Sequence, residues 1–408
     1  MELKKYKLEE CCLHITDGEH GSVNDDLQGD YYLLSNKNII NGNIVISKDD
    51  RKINKATFDK INKRILLEEK DVIISTVGTL GKTAIIEGNI NYTFQRSVGI
   101  IKPNPQIIDS HYLKYLLDTD YYQQLLIGLS VGAVQKCIFI GTLKSLPISI
   151  PSLPTQKKIA NILQTLDQKI ALNRQINDNL EAMAKQLYDY WFVQFDFPNE
   201  EGKPYKSSGG KMVYNPKLKR EIPEGWEVKS IFDELSVQYG FPFSTELFTN
   251  EPTEIPVVRI RDILDNSISA YSHEVADEKY RLNEADLLIG MDGNFHMNYW
   301  IDNISYLNQR SVCLRGKTQS TVSILQARFD IAPYIKAKEQ RVKGSTVGHL
   351  SDKDLKELHV LVCPNNKFKK VLDSLLKRII ANRKENINLT KQRDELLPLL
   401  MNGQVSVD

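Results

Sequence analysis

A glycine-rich segment is the first place in this sequence where residue types and spacing suggest chemistry. After the apolar run 72–75 comes VGTLGKT at 77–83, which looks like a phosphate-binding loop. A nucleotide-binding P-loop has four residues between its glycines and a helix after them, whereas here there are two residues and a second strand-like run. The segment therefore predicts a tight hairpin with an exposed Lys82, not a nucleotide site.

Sequence motifs for catalysis and for metal binding are absent elsewhere. The chain has no His-Glu-x-x-His, no Gly-x-Ser-x-Gly and no Cys–His metal spacing, and it lacks the Asn/Asp-Pro-Pro-aromatic motif of amine methyltransferases. Its five cysteines include no C-x-x-C pair, which argues against structural zinc and against a disulfide framework. We predict no catalytic residue, no metal ligand and no cofactor in this chain.

Composition indicates an ordinary globular protein. The 408 residues suffice for two or three domains, 41% of them are hydrophobic, and 53 basic against 52 acidic side chains leave a net charge of +1. No apolar stretch approaches the ~18–20 residues of a membrane span, and the N-terminus has no signal-peptide core. We therefore expect a cytoplasmic protein that binds DNA, if at all, through local patches.

The chain contains an internal repeat. Residues 71–98 and 286–312 both begin with Asp and a strand-like run, continue through a glycine and a second run, and end in Gln-Arg-Ser-Val. The tetrapeptide occupies 95–98 and 309–312, a shift of 214. Further on, 143–151 and 355–364 each predict a helix start and a strand that runs into a proline. A long helical pattern follows each proline.

These helical patterns are the strongest signal in the sequence. Apolar residues alternate at steps of four and three, and the two series match at a shift of 209. The first series is Ile159, Leu163, Leu166, Ile170, Asn173, Asn177, Leu180, Ala184, Leu187 and Trp191. The second is Phe368, Leu372, Leu375, Ile379, Asn382, Asn386, Leu389, Arg393, Leu396 and Leu400. A period of 3.5 predicts an antiparallel coiled coil within one chain, whose first helix spans 155–191 with Thr155 as N-cap.

Two asparagines occupy the same seam positions in both copies. They are Asn173 and Asn177 in the first helix, and Asn382 and Asn386 in the second. A buried Asn needs a partner and penalises slippage, so the matching positions favour a device that fixes the register. The alternative is polar residues tolerated on a frayed face.

The predicted architecture is α+β, with a pseudo-twofold internal repeat of globular domain and long helix. Two globular domains are separated by the two helices of the coiled coil. The boundaries are 1–150 for the first domain, 151–197 for the central helical region, 198–225 for a linker, 226–362 for the second domain and 363–408 for the C-terminal helical region.

The helix and linker segments show a family resemblance that covers essentially the whole chain. The first helix opens with IPSLPTQKKIANILQTLDQKI and closes with LYDYWFVQFDFP, and the linker ends in IPEGWEV. This resembles the specificity (S) subunits of type I restriction–modification systems. The helix-plus-linker segments are specific to that family, whereas the globular halves match only in plan.

The resemblance implies a DNA-binding protein without enzymatic activity of its own. Each globular half is then a target recognition domain that reads one half of a bipartite, asymmetric DNA site. The coiled coil sets the spacer and docks two modification subunits that methylate adenine at N6, and two restriction subunits join them. S-adenosylmethionine, ATP and Mg²⁺ are expected on those partners.

Base readout needs Arg, Lys, Asn or Gln on exposed loops. In the first half the candidate DNA-binding residues are Thr79, Lys82, Gln95, Arg96, Gln135 and Lys136. In the second half they are Arg259, Arg261, Asn294, His296, Gln309, Arg310, Lys343, Ser345 and His349. Arg259 and Arg261 alternate on a strand-like run and are expected to face one side. For Arg96 and Arg310 a structural ion pair is an equal alternative, because a position shared by both copies can serve the scaffold.

The charge balance of the two globular halves argues against strong DNA binding by this chain alone. Residues 1–150 hold 18 basic and 18 acidic groups, and residues 231–362 hold 14 and 19. We therefore expect weak unaided binding, with the modification subunits supplying much of the phosphate neutralisation. The alternative function is a coiled-coil assembly adaptor whose globular halves bind protein partners instead of DNA.

Overall fold

The computed structural model describes residues 2–133, 135–252, 254–342 and 348–405. It divides into two compact units, Met1–Lys169 with Leu389–Asp408, and Ile170–Asn388. Each long helix is shared between them.

The elements up to the end of the first long helix follow the predicted α+β pattern. The strands are β1 (Lys4–Lys7), β2 (Cys12–Asp17), β3 (Tyr31–Leu34), β4 (Ile39–Ile40), β5 (Asn43–Ile44), β6 (Lys52–Ile53), β7 (Val72–Ser75), β8 (Thr83–Ile85), β9 (Tyr92–Phe94), β10 (Val98–Pro103) and β11 (Pro147–Ile150). The helices are α1 (Lys55–Ile65), α2 (Ser110–Asp118), α3 (Asp120–Gly128), α4 (Ile140–Lys144) and α5 (Leu153–Tyr188).

The rest of the chain repeats most of this order. The strands are β12 (Met212–Asn215), β13 (Arg220–Pro223), β14 (Glu227–Ser230), β15 (Leu235–Tyr239), β16 (Phe248–Thr249), β17 (Ile255–Val258), β18 (Tyr271–Ser272), β19 (Leu287–Gly290), β20 (Met297–Tyr299), β21 (Tyr306–Leu307), β22 (Ser311–Gly316) and β23 (His359–Val362). The helices are α6 (Ile231–Glu234), α7 (Ile260–Ile263), α8 (Ile324–Val342), α9 (Asp352–Lys356) and α10 (Lys367–Met401).

Both units are built on the same central sheet. The strand order is β2-β10-β7-β8 in the first unit and β15-β22-β19-β20 in the second, with antiparallel neighbours throughout. All four residues of β7 and of β19 are buried, as expected of apolar central strands. Each unit also contains a parallel pair of strands, β3–β9 in the first and β17–β21 in the second. The internal repeat read from the sequence is confirmed.

The first long helix begins two residues earlier than expected. Helix α5 starts at Leu153, and Thr155 lies inside it, so the N-cap prediction is wrong. Pro154 is accommodated in the first turn, where a missing N–H breaks no intrahelical hydrogen bond. At its C-terminal end α5 continues as a π-helical turn, Asp189–Val193.

The seam predicted from the sequence is the packed face of both helices. Its positions are buried or half-buried in α5 and in α10 alike. In the second unit the helices run antiparallel, because Asn173 contacts Asn386 while Asn177 contacts Asn382. The distances from amide nitrogen to amide oxygen are 3.0 and 2.9 Å. This confirms the coiled coil.

In the first unit the end of α10 completes the globular core. Leu400 and Met401 are buried in one cluster with Leu163. Asp167 accepts hydrogen bonds from Arg393 at 2.9 Å and from the Tyr115 hydroxyl at 2.6 Å. Burial and this carboxylate raise the pKa of Tyr115. Residues from the far C-terminus are therefore part of the N-terminal unit.

The segment expected to be a linker is folded. Strands β12 and β13 form a hairpin with Val213 opposite Ile222, and Ile222 is buried in the core of the second unit. Trp226 stacks on Phe197, with ring centroids 5.1 Å apart, and lies 5.9 Å from the ring of Phe368. Aromatic packing thus attaches this segment to the start of α10.

Candidate nucleic-acid interface

The glycine-containing segment of the first unit is the predicted hairpin between β7 and β8. Ser75 ties it together, because its hydroxyl donates to the Thr79 carbonyl at 2.6 Å and accepts from the Lys82 amide at 2.9 Å. Gly78 and Gly81 have φ of +77° and +78°, a backbone that glycine adopts without steric cost. The side chains of Thr79 and Lys82 are exposed.

Two turns flank this hairpin loop. The Thr76 amide donates to the Ser97 carbonyl at 2.9 Å, and the Gly78 amide donates to the Lys136 carbonyl at 3.1 Å. These bonds bring the candidates together: Lys136, Gln135 and Arg96 are exposed beside the hairpin, and Gln95 is half-buried.

Asn36 was missed by sequence reasoning. Its side-chain amide donates to the Val77 carbonyl at 2.7 Å, and its backbone amide donates to the Ser97 hydroxyl at 3.3 Å. It thereby joins the hairpin to the turn. No local motif signals such a role, because its partners lie 41 and 61 residues away.

The second unit has the same arrangement. The Met291 amide donates to the Arg310 carbonyl at 2.8 Å, and the Gly293 amide donates to the Gly348 carbonyl at 2.9 Å. Four candidates are exposed on this surface and His296 is half-buried; the exposed ones are Asn294, Gln309, Arg310 and His349. Lys343 and Ser345 lie outside the described residues.

The repeated tetrapeptide does not superpose residue for residue. In the first unit the Arg96 amide donates to Glu19 O at 3.0 Å, and in the second the Gln309 amide donates to Phe241 O at 2.8 Å. Arg96 is therefore the structural equivalent of Gln309, and Ser97 of Arg310. The expectation of a shared arginine position is wrong by one residue.

The arginines also differ in their contacts. Arg310 forms an ion pair with Asp292 at 3.0 Å. Arg96 has no ion pair within the part of the chain that the structure describes. Of the two arginines, Arg310 forms the ion pair that the structural alternative expects, and both residues stay candidates for DNA contact.

Arg259 and Arg261 do not lie on one strand, which corrects the prediction from their alternation. Strand β17 ends at Val258, and Asp262 accepts a hydrogen bond from the Arg259 amide at 2.9 Å, which caps the short helix α7. The Arg259 guanidinium donates to the Ser269 carbonyl at 2.7 Å and is half-buried, whereas Arg261 is exposed on α7. Arg259 is therefore engaged in the fold of the second unit.

An ion pair with a buried aspartate braces the central sheet at the same place in each unit. Lys102 lies 2.9 Å from Asp71, and Arg315 lies 2.6 Å from Asp286. Burial raises the pKa of Asp71, and the hydrogen bonds that the Arg315 guanidinium donates to Asp286 raise the pKa of Arg315. These groups serve the scaffold beneath the loops.

The surface formed by each hairpin and its two turns offers hydrogen-bond donors. Exposed Arg, Lys, Asn and Gln side chains can reach phosphates and the edges of bases.

Burial raises the pKa of Cys11 to about 11 and of Cys12 to about 12, so neither thiol is a thiolate nucleophile at neutral pH.

Metal clusters and membrane-spanning helices are both absent from the described ranges. There, no cluster of three or more His, Cys, Asp or Glu side chains is placed to hold a metal ion. No helix in the described part of the chain is both long and apolar enough to cross a membrane.

Comparison with known proteins places this geometry in context. A family model described as the type I restriction modification DNA specificity domain matches twice, at residues 13–182 and 223–391. The type I restriction enzyme MjaIX specificity subunit of Methanocaldococcus jannaschii is 28% identical over 399 residues, which cover 93% of this chain and 88% of that protein. The HindI specificity subunit of Haemophilus influenzae is 22% identical over 390 residues, covering 80% and 84%.

A solved structure shares the fold. It is the crystal structure of the type I restriction–modification system S subunit from M. genitalium, with a TM-score of 0.59 over 98% of this chain and 96% of that chain. The sequence identity is 16%.

Proposed function

This chain belongs to the type I restriction–modification DNA specificity family, and we propose that each of its two globular parts reads one half of a bipartite, asymmetric DNA site. The observation that carries the proposal is the repeated surface of one hairpin and two turns. The backbone hydrogen bonds of this surface recur in both units, while its exposed side chains differ. A common scaffold with different donors suits two different half-sites.

The proposed DNA contacts lie on these two surfaces. In the first unit they are Thr79, Lys82, Gln95, Arg96, Gln135 and Lys136. In the second they are Asn294, His296, Gln309, Arg310 and His349. Arg261, which is exposed on α7, is proposed as a further contact, as are Lys343 and Ser345, which the sequence alone suggests. Lysine and threonine suit phosphate contacts that position the protein, whereas Arg, Asn and Gln suit base edges.

The helices have a separate role in this proposal. The coiled coil sets the spacing between the half-sites and docks two modification subunits, and two restriction subunits join the complex. The chain performs no chemistry itself. The partner subunits bind S-adenosylmethionine, ATP and Mg²⁺, and the complex works in the cytoplasm. The alternative of an adaptor that binds protein instead of DNA is disfavoured by membership in a DNA specificity family.

Sequencing of modified adenines in host cells with and without this gene tests the function. Loss of N6-methyladenine from one bipartite motif is expected when the gene is deleted, and return when it is restored. An unchanged methylome in a host that carries the modification subunit contradicts the proposal.

A domain exchange tests independent reading. Replacing 1–169 together with 389–408 by the equivalent parts of a relative keeps Leu400 and Met401 with the core they complete. One half-site is expected to change and the other to stay. A change in both half-sites, or in neither with the protein folded, contradicts it.

A further inference from the structure

Three charged or titratable side chains meet on the surface that the hairpin and its two turns form in the second unit. Asp292 lies at the hairpin, Arg310 in one flanking turn and His349 in the other. One oxygen of Asp292 is 3.0 Å from the Arg310 guanidinium, and the other is 2.6 Å from Nδ1 of His349. The Arg310 side chain is 61% exposed and that of Asp292 26%.

The first unit has the same backbone hydrogen bonds at these places, with different side chains. Val77 and Cys137 form the same antiparallel bridge as Asp292 and His349. Ser97 takes the place of Arg310, since its carbonyl accepts from Thr76 as that of Arg310 accepts from Met291. The cluster is thus an addition to the second unit, and the shared scaffold folds without it.

The backbone of Arg310 is also unusual. Its φ is +67°, in the left-handed region, which costs a non-glycine residue about 1 kcal/mol or more. The hydrogen bond that the Met291 amide donates to the Arg310 carbonyl and the ion pair with Asp292 hold it there. Strained, exposed residues fixed by their surroundings are typical of binding sites.

We propose that Arg310 reads a guanine in the major groove of the second half-site, and that Asp292 is its positioning residue. This rests on the proposed function. Guanine presents two acceptors, O6 and N7, to the fork of a guanidinium. Asp292 engages only one terminal nitrogen of Arg310, which leaves the remaining donors for the base.

The carboxylate decides between a base and a phosphate as the ligand. A phosphate oxygen close to Arg310 would also lie close to the charge of Asp292, and the two anions would repel each other. A neutral base edge carries no such penalty. His349 occupies the second oxygen of Asp292 and fixes the carboxylate plane, so the guanidinium points in one direction.

The experiment uses the full complex with modification subunits and DNA libraries in which both half-sites are randomised. The variants are Arg310→Lys, which keeps the charge and removes the fork, and Asp292→Asn. Arg281→Ala is the matched control, because Arg281 is a half-buried arginine of the same unit that is also paired with a carboxylate, that of Glu278 at 3.2 Å.

For Arg310→Lys we expect the preference for guanine at one position of the second half-site to fall roughly 10- to 100-fold. Asp292→Asn should weaken the preference at that same position, and Arg281→Ala should leave it intact. The first half-site should be unchanged in all three.

Three outcomes overturn the proposal. A uniform loss of affinity with unchanged base preference makes Arg310 a phosphate contact. A changed preference at the first half-site, or no change in any preference, removes Arg310 from readout. A wild-type complex that selects no sequence contradicts the proposed function itself, which separates the two failures.

Discussion

Glycines at two equivalent positions let the chain pass close to the turns that contain Arg96 and Arg310. The Gly18 amide donates to Val98 O and the Gly240 amide donates to Ser311 O, each at 3.0 Å. A Cβ at Gly18 would collide with the carbonyl of Phe94, and one at Gly240 with that of Asn308. Backbone cannot yield as a flexible side chain can, so both positions exclude larger residues.

We predict that Gly18→Ala lowers the free energy of unfolding of the first unit by about 2–3 kcal/mol and disturbs the turn at Arg96. Gly141→Ala is the control, since an added Cβ there meets nothing within 4 Å. Chemical denaturation measures both variants. Equal stability of Gly18→Ala and wild type would show that the strand end moves aside at little cost.

Asp330 makes the stability of the second unit depend on pH. Its carboxylate accepts hydrogen bonds from the Tyr188 hydroxyl at 2.8 Å and from the Leu361 amide at 3.2 Å, yet burial raises its pKa to about 6. An unfolded Asp has a pKa near 3.9, so between these values the folded state binds more protons than the unfolded state. Stability contributed at low pH is therefore lost as the pH rises from about 4 to the folded-state pKa of about 6.

For Asp330→Asn we expect this part of the pH dependence to disappear. Wild type should lose about 2 kcal/mol more than the variant between about pH 4 and pH 7. Unfolding free energies across that range test it, with the exposed Asp265→Asn as control. Parallel profiles for wild type and Asp330→Asn would refute the assignment.

At the scale of elements, the long helices carry polar layers in an apolar seam. Asn177 and Asn382 form one layer, in which the side-chain amide of Asn382 donates to the side-chain oxygen of Asn177 at 2.9 Å. The Asn177 amide in turn donates to the Ile379 carbonyl at 3.2 Å. Asn177 is 6% exposed, so a lost partner is not replaced freely by water.

We predict that Asn177→Leu alone destabilises the helix pair by about 1–3 kcal/mol, because it leaves the Asn382 amide without its acceptor. Adding Asn382→Leu should restore or exceed wild-type stability, since apolar residues pack well at a seam. Thermal unfolding of both single variants and the double variant measures the coupling. Additive effects would mean that the asparagines do not interact.

Disulfide cross-linking in the same variants tests whether the asparagines fix the register of the two helices. Cysteine pairs placed across the helices form disulfides only where the register brings them together. We expect the double Leu variant to cross-link at more than one register. A single unchanged register would contradict the proposal that the asparagines specify it.

At the scale of the whole molecule, the helices are proposed to set the spacing of the half-sites. Insertion of seven residues after Lys169 in α5 and after Asn388 in α10 spares the asparagine layers and the contact between Asp167 and Arg393. Each helix lengthens by about 10.5 Å. If the helix pair runs along the DNA, the preferred spacer should grow by about three base pairs, with a rotation of about 100°.

Methylation by the reconstituted complex on libraries with randomised spacing measures the effect. A shifted optimum, or lost activity from unmatched rotation, is expected. Seven residues inserted after the exposed Gly209, outside the helices, should leave the optimum unchanged. Full activity at the original spacing after both helix insertions would assign spacing to the modification subunits instead.

The sequence by itself determined the repeat, both helices with their seams, and the hairpin that is not a nucleotide site. Each depends on patterns within a few turns or strands: a period of 3.5 for a packed helix face, and two strands around glycines for a hairpin. The family resemblance read from residues 150–198 and 222–228 agrees with the family match. Local patterns suffice where neighbouring residues decide the structure.

Tertiary structure alone decided which residues meet. The sequence matches Asn173 with Asn382, but antiparallel packing pairs Asn173 with Asn386. The repeated tetrapeptide aligns by letters, but strand pairing offsets it, so that Ser97 and not Arg96 occupies the place of Arg310. Such contacts join segments far apart along the chain, and pairing between strands and helices, rather than local preference, selects them.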